Sequence, residues 1–187
     1  AKPAKYSTHG VSVVKNSMIE LNKIILDSFL KNKLNPYCLP PTDFISGNKP
    51  ITKKIKIIEK IARSGFIPVT YGDALWYDQK KSFILSGDRI MSVLATILKP
   101  RLSIFVINVD GLYSNIKTKK LIRELKGRKP LISKSSKDVT GGMSRKVDEA
   151  IKISKKNIKV FFVNGNKPER IIDAINRKKF HGTLFRG

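Results

Sequence analysis

Three short segments of this 187-residue chain hold residues suited to gripping an anion: Ser86-Gly87-Asp88, Asn108-Val109-Asp110-Gly111-Leu112-Tyr113 and Asp138-Val139-Thr140-Gly141-Gly142-Met143-Ser144-Arg145-Lys146. Each sits at or beyond an apolar run that reads as a strand, where an open α/β sheet presents its ligands. The first two have plain alternatives. Ser-Gly-Asp ahead of a helix also serves as an N-cap, with Ser86 or Asp88 accepting backbone N–H groups. Asp110-Gly111 after a strand is also a common turn. The third segment says more, because Gly141-Gly142 opens a helical pattern. Backbone N–H groups and the positive end of the helix dipole face outward at such a start. Lys146 follows Gly142 one turn later on the same face, so its flexible ammonium can reach a phosphate held there. The spacing is not that of the Gly-x-x-x-x-Gly-Lys-Ser/Thr loop.

The elements that must carry these segments alternate. Val14, Met18, Leu21, Ile25 and Phe29 recur at helical spacing between about Ser12 and Leu30, a stripe of the kind that ordinarily packs as core. Pro40-Pro41-Thr42-Asp43 must be a loop. A second helix is expected from Ile55 to Ala62, then a strand over Phe66 to Thr70 with a turn at Gly72-Asp73. Phe83 to Leu85 reads as a strand and Ile90 to Leu98 as a helix. Leu102 to Val109 and Ile158 to Val163 are nearly continuous apolar runs, the pattern of buried parallel strands. Helices are expected from Gly142 to Ser154 and from Arg170 to Arg177, after a polar stretch that reaches Lys137. Strands alternating with helices predict an α/β protein, a three-layer αβα sandwich on a mainly parallel central sheet.

Composition limits the classes. A chain of this length, 41% hydrophobic, can bury a substantial core. No apolar run reaches the roughly 20 residues of a membrane helix, and Ala1-Lys2-Pro3-Ala4-Lys5-Tyr6 has no apolar leader core. Cys38 is the single cysteine, which excludes an internal disulfide and suits a reducing cytoplasm. The 38 Lys and Arg against 14 Asp and Glu give a net charge of +24, which attracts anions such as nucleotides or nucleic acid. The lysines fall mostly in short runs (Lys53-Lys54, Lys119-Lys120, Lys155-Lys156, Lys178-Lys179) through nearly every amphipathic segment, the look of solvated faces. Aromatics are seldom interleaved with them, and Trp76-Tyr77 and Phe161-Phe162 lie outside basic runs. That argues against a nucleic-acid surface, although a basic RNA-binding module is the alternative of a different class. His9 and His181 are isolated and are not read as catalytic.

Taken in order, strand–Ser86-Gly87-Asp88, strand–Val109-Asp110-Gly111-x-Tyr113 and Asp138-Val139-Thr140-Gly141-Gly142-Met143-x-x-Lys146 resemble the amino-acid-kinase superfamily. Pro40-Pro41, Tyr71-Gly72-Asp73, the Asn164-to-Arg170 segment and Gly182-Thr183 are similar to its isopentenyl phosphate kinase branch. The resemblance implies one amino-acid-kinase domain over 1–187, with an acceptor-binding lobe at 1–100 and a nucleotide-binding lobe at 101–187. It implies ATP with Mg²⁺ as cofactors, isopentenyl phosphate as acceptor and isopentenyl diphosphate as product. A phosphonate acceptor is the neighbouring possibility, and a catalytically dead RNA-binding derivative the more distant one. Gly87 would touch the acceptor phosphate. Asn108, Asp110 and Tyr113 would border ATP, Gly142 and Lys146 would hold its β/γ phosphates, and Lys146 is the catalytic candidate; no protein metal ligand is expected. A cytoplasmic homodimer without membrane attachment is the family-level expectation. Family members also carry a Lys-x-Gly-Gly-Ser-like loop and a Gly-Gly-Gly-Ser-Phe-Gly-His loop before the residues matching Ala1 to Tyr6. Neither is in these 187 residues, so the fold is expected to be N-terminally incomplete and the chain by itself inactive. Position 108, acidic in many relatives, is Asn here.

Overall fold

The computed structural model describes residues 3–79, 81–115, 117–127, 141–176 and 180–187. The chain divides into two compact units, Ala1–Leu98 and Lys99–Gly187.

In the first unit, α1 (Thr8–Lys31) begins a turn earlier than the apolar pattern predicts, because Ser7 caps it by accepting the Gly10 N–H at 3.0 Å. It ends at Asn32, whose side-chain amide donates to the Ser28 carbonyl. The strand β1 (Pro36–Cys38) follows, then a 3₁₀ turn (Pro41–Asp43) where consecutive prolines require a loop. The short hairpin of β2 (Ile45–Ser46) and β3 (Lys49–Pro50) leads into α2 (Thr52–Arg63). Next come β4 (Ile67–Val69), β5 (Asp73–Asp78), β6 (Lys81–Leu85) and α3 (Gly87–Leu98). β1 pairs with β4 in parallel, and β5 with β6 antiparallel. The turn expected at Gly72-Asp73 is corrected: Asp73 opens β5 and pairs with Leu85. Its carboxylate, buried among apolar neighbours, takes the Lys15 ammonium at 2.6 Å and the Ala74 N–H at 2.7 Å. Phe44, Ile55, Leu75, Phe83 and Ile90 centre the core.

The stripe on α1 departs in part from its expected place in a core. Val14, Leu21 and Ile25 are exposed, and the one fully buried residue of the helix is Asn22. The helix lies against β1 and β5 with the face that carries Lys15 and Asn22, and the other two residues of the stripe, Met18 and Phe29, are half-buried beside them.

The second unit is built on a four-stranded sheet in the order β10-β12-β11-β7. Its members are β7 (Leu102–Ile107), β10 (Glu124–Lys126), β11 (Lys159–Asn164) and β12 (Thr183–Arg186); β8 (Tyr113–Asn115) and β9 (Lys120–Leu121) form a separate hairpin. β7–β11 and β10–β12 are parallel and β11–β12 antiparallel, so the sheet is mostly parallel, as expected. Val160, Phe161, Phe162 and Val163 are all buried, which is why β11 reads as an unbroken apolar run. Phe162 stacks between Phe105 and Phe185, with ring centroids 5.2 and 4.7 Å away. Two helices cover the sheet: α4 (Gly141–Ser154), which buries Val147, Ala150 and Ile153, and α5 (Glu169–Ile175), which buries Ala174. The strand expected to Val109 stops at Ile107. The last helix is Glu169–Ile175, and Arg177 lies outside the described residues.

Candidate functional site

The sheet register of the second unit sets up its candidate site. β7 and β11 run parallel in register from Leu102 opposite Lys159 to Ile107 opposite Asn164, so both chains leave the sheet at the same level. Asn108, Asp110 and Tyr113 follow β7 directly. At the other strand end, Asn164 and the segment to Arg170 meet them. Asp110 Oδ1 accepts from Asn164 Nδ2 at 2.8 Å and from Arg170 Nη1 at 2.5 Å. The two donors, Asn164 first, hold the Asp110 carboxyl below the usual carboxylate range despite the opposing effect of burial. His181 Nε2 lies 3.6 Å from Asp110 Oδ2. Burial, with Arg123 and Arg170 nearby, pushes the imidazole below its ordinary value, so near neutrality it is an uncharged neighbour and not an ion-pair partner.

α4 carries the other candidates of this unit, Gly142 and Lys146. The helix is 14 residues, about 21 Å, and precedes by a short turn a six-residue strand of about 20 Å. It packs against β11 and β12. Among the described residues nothing stands within 4 Å of where a Cβ would be on Gly142, and Lys146 is half-buried one turn further on. Asp138, Val139 and Thr140 of this motif lie outside the described residues. Asn108 is exposed and Tyr113 half-buried. The start of α4 can offer helix N–H groups and a lysine to an anionic ligand, and the loop after β7 a polar edge, with Asp110 Oδ1 already occupied.

Gly87 belongs to the first unit, as the first residue of α3. Ser86 acts as the expected cap, its Oγ accepting the Arg89 N–H at 3.3 Å and its carbonyl the Ile90 N–H at 3.0 Å. Among the described residues, nothing beyond its chain neighbours and its own helix backbone lies within 4 Å of a Cβ built on Gly87, whereas one on Gly72 would stand 2.9 Å from the Leu85 carbonyl oxygen and 3.0 Å from the Gly87 nitrogen. Gly72 is therefore the residue that lets the 70–73 chain lie against the start of α3. Lys15 secures the next residue, Asp73. Behind them, Asn22 donates to the Cys38 thiol at 3.1 Å, and burial raises the Tyr71 phenol, with Cys38, Asp73 and Asp43 adding to the shift. An open cavity of about 600 Å³ in this unit is lined by Lys5, Tyr6, Trp76 and Lys81 among others. Gly87 is not among its lining residues, which mix Tyr6, Val11 and Trp76 with the polar Lys5, Thr8 and Ser82.

Residue types alone single out Asp110, Gly142 and Lys146, but not the residues that support them. Asn164, Arg170 and Thr183 show no role by spacing. Their one signal is that they fall in the Asn164-to-Arg170 segment and in Gly182-Thr183, the stretches that carry the family resemblance.

The family model described as the amino acid kinase family matches residues 3–164. The isopentenyl phosphate kinase of Thermoplasma acidophilum is 33% identical over 96% of this chain and 74% of its own length. That of Methanocaldococcus jannaschii is 30% identical over 87% of this chain, which spans 62% of that enzyme. A crystal structure of the T. acidophilum isopentenyl phosphate kinase product complex superposes with a TM-score of 0.78 at 29% identity, covering 98% of this chain and 75% of the other.

Proposed function

The chain belongs to the amino acid kinase family, and from that premise we propose that it transfers the γ-phosphoryl group of ATP to isopentenyl phosphate, giving isopentenyl diphosphate and ADP. The observation that carries the reading is the similarity over nearly the whole chain to isopentenyl phosphate kinases, with the glycine segments in the order those motifs require. In this reading residues 101–187 take the nucleotide and 1–100 the acceptor. Asn108 and Tyr113 border the nucleotide. The N–H groups at Gly142 and the Lys146 ammonium hold its β/γ phosphates, and Lys146 neutralises charge that develops on the transferring group. Asp110 borders the nucleotide through the loop it fixes, because its Oδ1 is committed to Asn164 and Arg170. Gly87 offers its backbone to the acceptor phosphate, with no side chain in the way.

Mg²⁺ fits this donor set as an ion carried mainly by phosphate oxygens and water, since the Asp110 carboxylate has one oxygen already occupied. When bound it would neutralise the nucleotide phosphates. No helix among the described residues is long and apolar enough to cross a membrane, and the reading places the enzyme in the cytoplasm. The exposed apolar stripe of α1 supports a homodimer.

The test is ADP release from ATP and Mg²⁺ with isopentenyl phosphate. It is made with the 187-residue chain and, if the reading frame continues ahead of Ala1, with the longer product, each beside Lys146→Ala. Turnover that falls at least about 100-fold with Lys146→Ala is expected. ATP binding without turnover on isopentenyl phosphate, in a product that phosphorylates a phosphonate, would overturn the acceptor.

A further inference from the structure

Thr183 is fully buried at the start of β12, and its hydroxyl does two jobs at once. It accepts the Leu112 N–H at 2.9 Å and donates to the Ile122 carbonyl at 2.6 Å. Leu112 is the residue before β8 and Ile122 the residue after β9, so a single oxygen ties both feet of that hairpin to the central sheet. The feet are also tied to each other, the Ile122 N–H donating to the Leu112 carbonyl at 2.7 Å. Gly111 makes the approach possible. Its φ is +147°, and a Cβ there would stand 2.6 Å from the Thr183 hydroxyl. On the other side, Asp110 is held by Asn164 and Arg170. The short segment from Asn108 to Tyr113 is thus fastened at two points, at Asp110 to the end of β11 and at Leu112 to β12.

We infer that Thr183 is a positioning residue for nucleotide binding: its hydroxyl fixes the 108–113 loop so that Asn108 and Tyr113 are presented at the edge where β7 and β11 end. The inference rests on the reading that this loop borders ATP. The oxygen does not meet the ligand; it acts through Leu112. Without the hydroxyl, the buried Leu112 N–H and the Ile122 carbonyl both lose their partner, and the loop must move to find others. A displacement of about 1 Å at a positioned group can cost up to about 100-fold in function.

The experiment compares Thr183→Val, which keeps the shape and removes the hydroxyl, with Thr183→Ser, which keeps the hydroxyl. ATP affinity is measured by titration, the KM for isopentenyl phosphate where turnover exists, and hydrogen exchange over 108–113 with and without ATP. Expected in Thr183→Val are ATP binding weakened by about tenfold, an unchanged acceptor KM and faster exchange at Leu112 in the free protein, with Thr183→Ser close to wild type. A folded Thr183→Val protein with wild-type ATP affinity and wild-type exchange at Leu112 overturns the proposal. If Thr183→Val does not fold, Thr183→Cys, a weaker donor and acceptor, replaces it: an intermediate loss of affinity supports the role, and none overturns it. The underlying reading fails separately, if ATP leaves exchange over 108–113 untouched in the wild-type protein; the role in nucleotide binding then falls too, while faster exchange at Leu112 in Thr183→Val would still mark a fastening of structural use alone.

Discussion

Asp110 takes donors from Asn164 and Arg170 on one oxygen and faces His181 with the other. Arg170 is largely enclosed, its side chain 12% exposed, so removing the carboxylate leaves a cation with little water to solvate it. Asp110→Ala is expected to cost about 2–3 kcal/mol of stability, more than Asp110→Asn, which keeps an acceptor. Thermal melts of the two variants beside wild type check this; equal melting points would remove the charge from the explanation. The same residues set an acid dependence. The folded Asp110 has a depressed pKa, so its contribution is present above the unfolded value, near 4, and is lost as pH falls through the lower folded value. His181 is also depressed: the unfolded chain takes up a proton below about 6.5 before the folded one does, and stability falls as pH drops through that window. Melting temperature measured from pH 7.5 down to 3.5 should therefore decline in both ranges. His181→Gln should flatten the upper decline and Asp110→Asn the lower one, and a variant whose slope matches wild type acquits its residue.

At the scale of elements, the start of α3 depends on a neighbour that has no side chain. Gly72→Ala places a methyl against the Leu85 carbonyl and the Gly87 nitrogen, both backbone atoms that cannot swing aside. A destabilisation of about 1–3 kcal/mol is expected, with a weaker hold on the acceptor phosphate as Gly87 is displaced. Gly87→Ala meets nothing within 4 Å among the described residues, so its stability should stay within about 0.5 kcal/mol of wild type while the acceptor KM rises. Calorimetry with acceptor titration separates the two; a Gly72→Ala protein as stable as wild type would show that the contact is slack. The contrast also shows which parts were legible in the residues. β11 was, because burial on both faces leaves an unbroken apolar run; β7 was legible by its apolar run although its burial alternates and Val106 is exposed; and so was α4, with its glycine start and its buried Val147, Ala150 and Ile153. β1 and β12 were not: each is a few residues long and contains Pro36 or Thr183, which no periodicity marks. Gly142 and Lys146 stood out by spacing, whereas Thr183 and Arg170 act through contacts 60 or more residues away in the chain, and sequence separation hides such partners.

At the scale of the whole molecule, two features pull in opposite directions. A net charge of +24 makes copies of the chain repel one another. On α1, however, Val13, Val14, Leu21, Ile24 and Ile25 are all at least 37% exposed and fall within an arc of about 120° at 3.6 residues per turn. A stripe of that width, unlike scattered surface leucines, has an association partner as its ordinary explanation. If a second copy covers it, the apolar attraction must overcome charge repulsion, and added salt should help by screening the repulsion. Dimer formation, followed by sedimentation from about 50 to 500 mM salt, should therefore strengthen as salt rises, and Ile24→Lys should hold the protein at its 21.1 kDa monomer mass throughout. Binding of RNA by the same charge would behave the other way, falling steeply over that range as counterions compete. A protein that stays monomeric at all salt concentrations yet binds single-stranded RNA tightly at low salt would favour the basic binding module over the dimeric kinase. Association that grows with salt, abolished by a single lysine on α1, would assign the stripe to self-assembly and the charge to solvated faces.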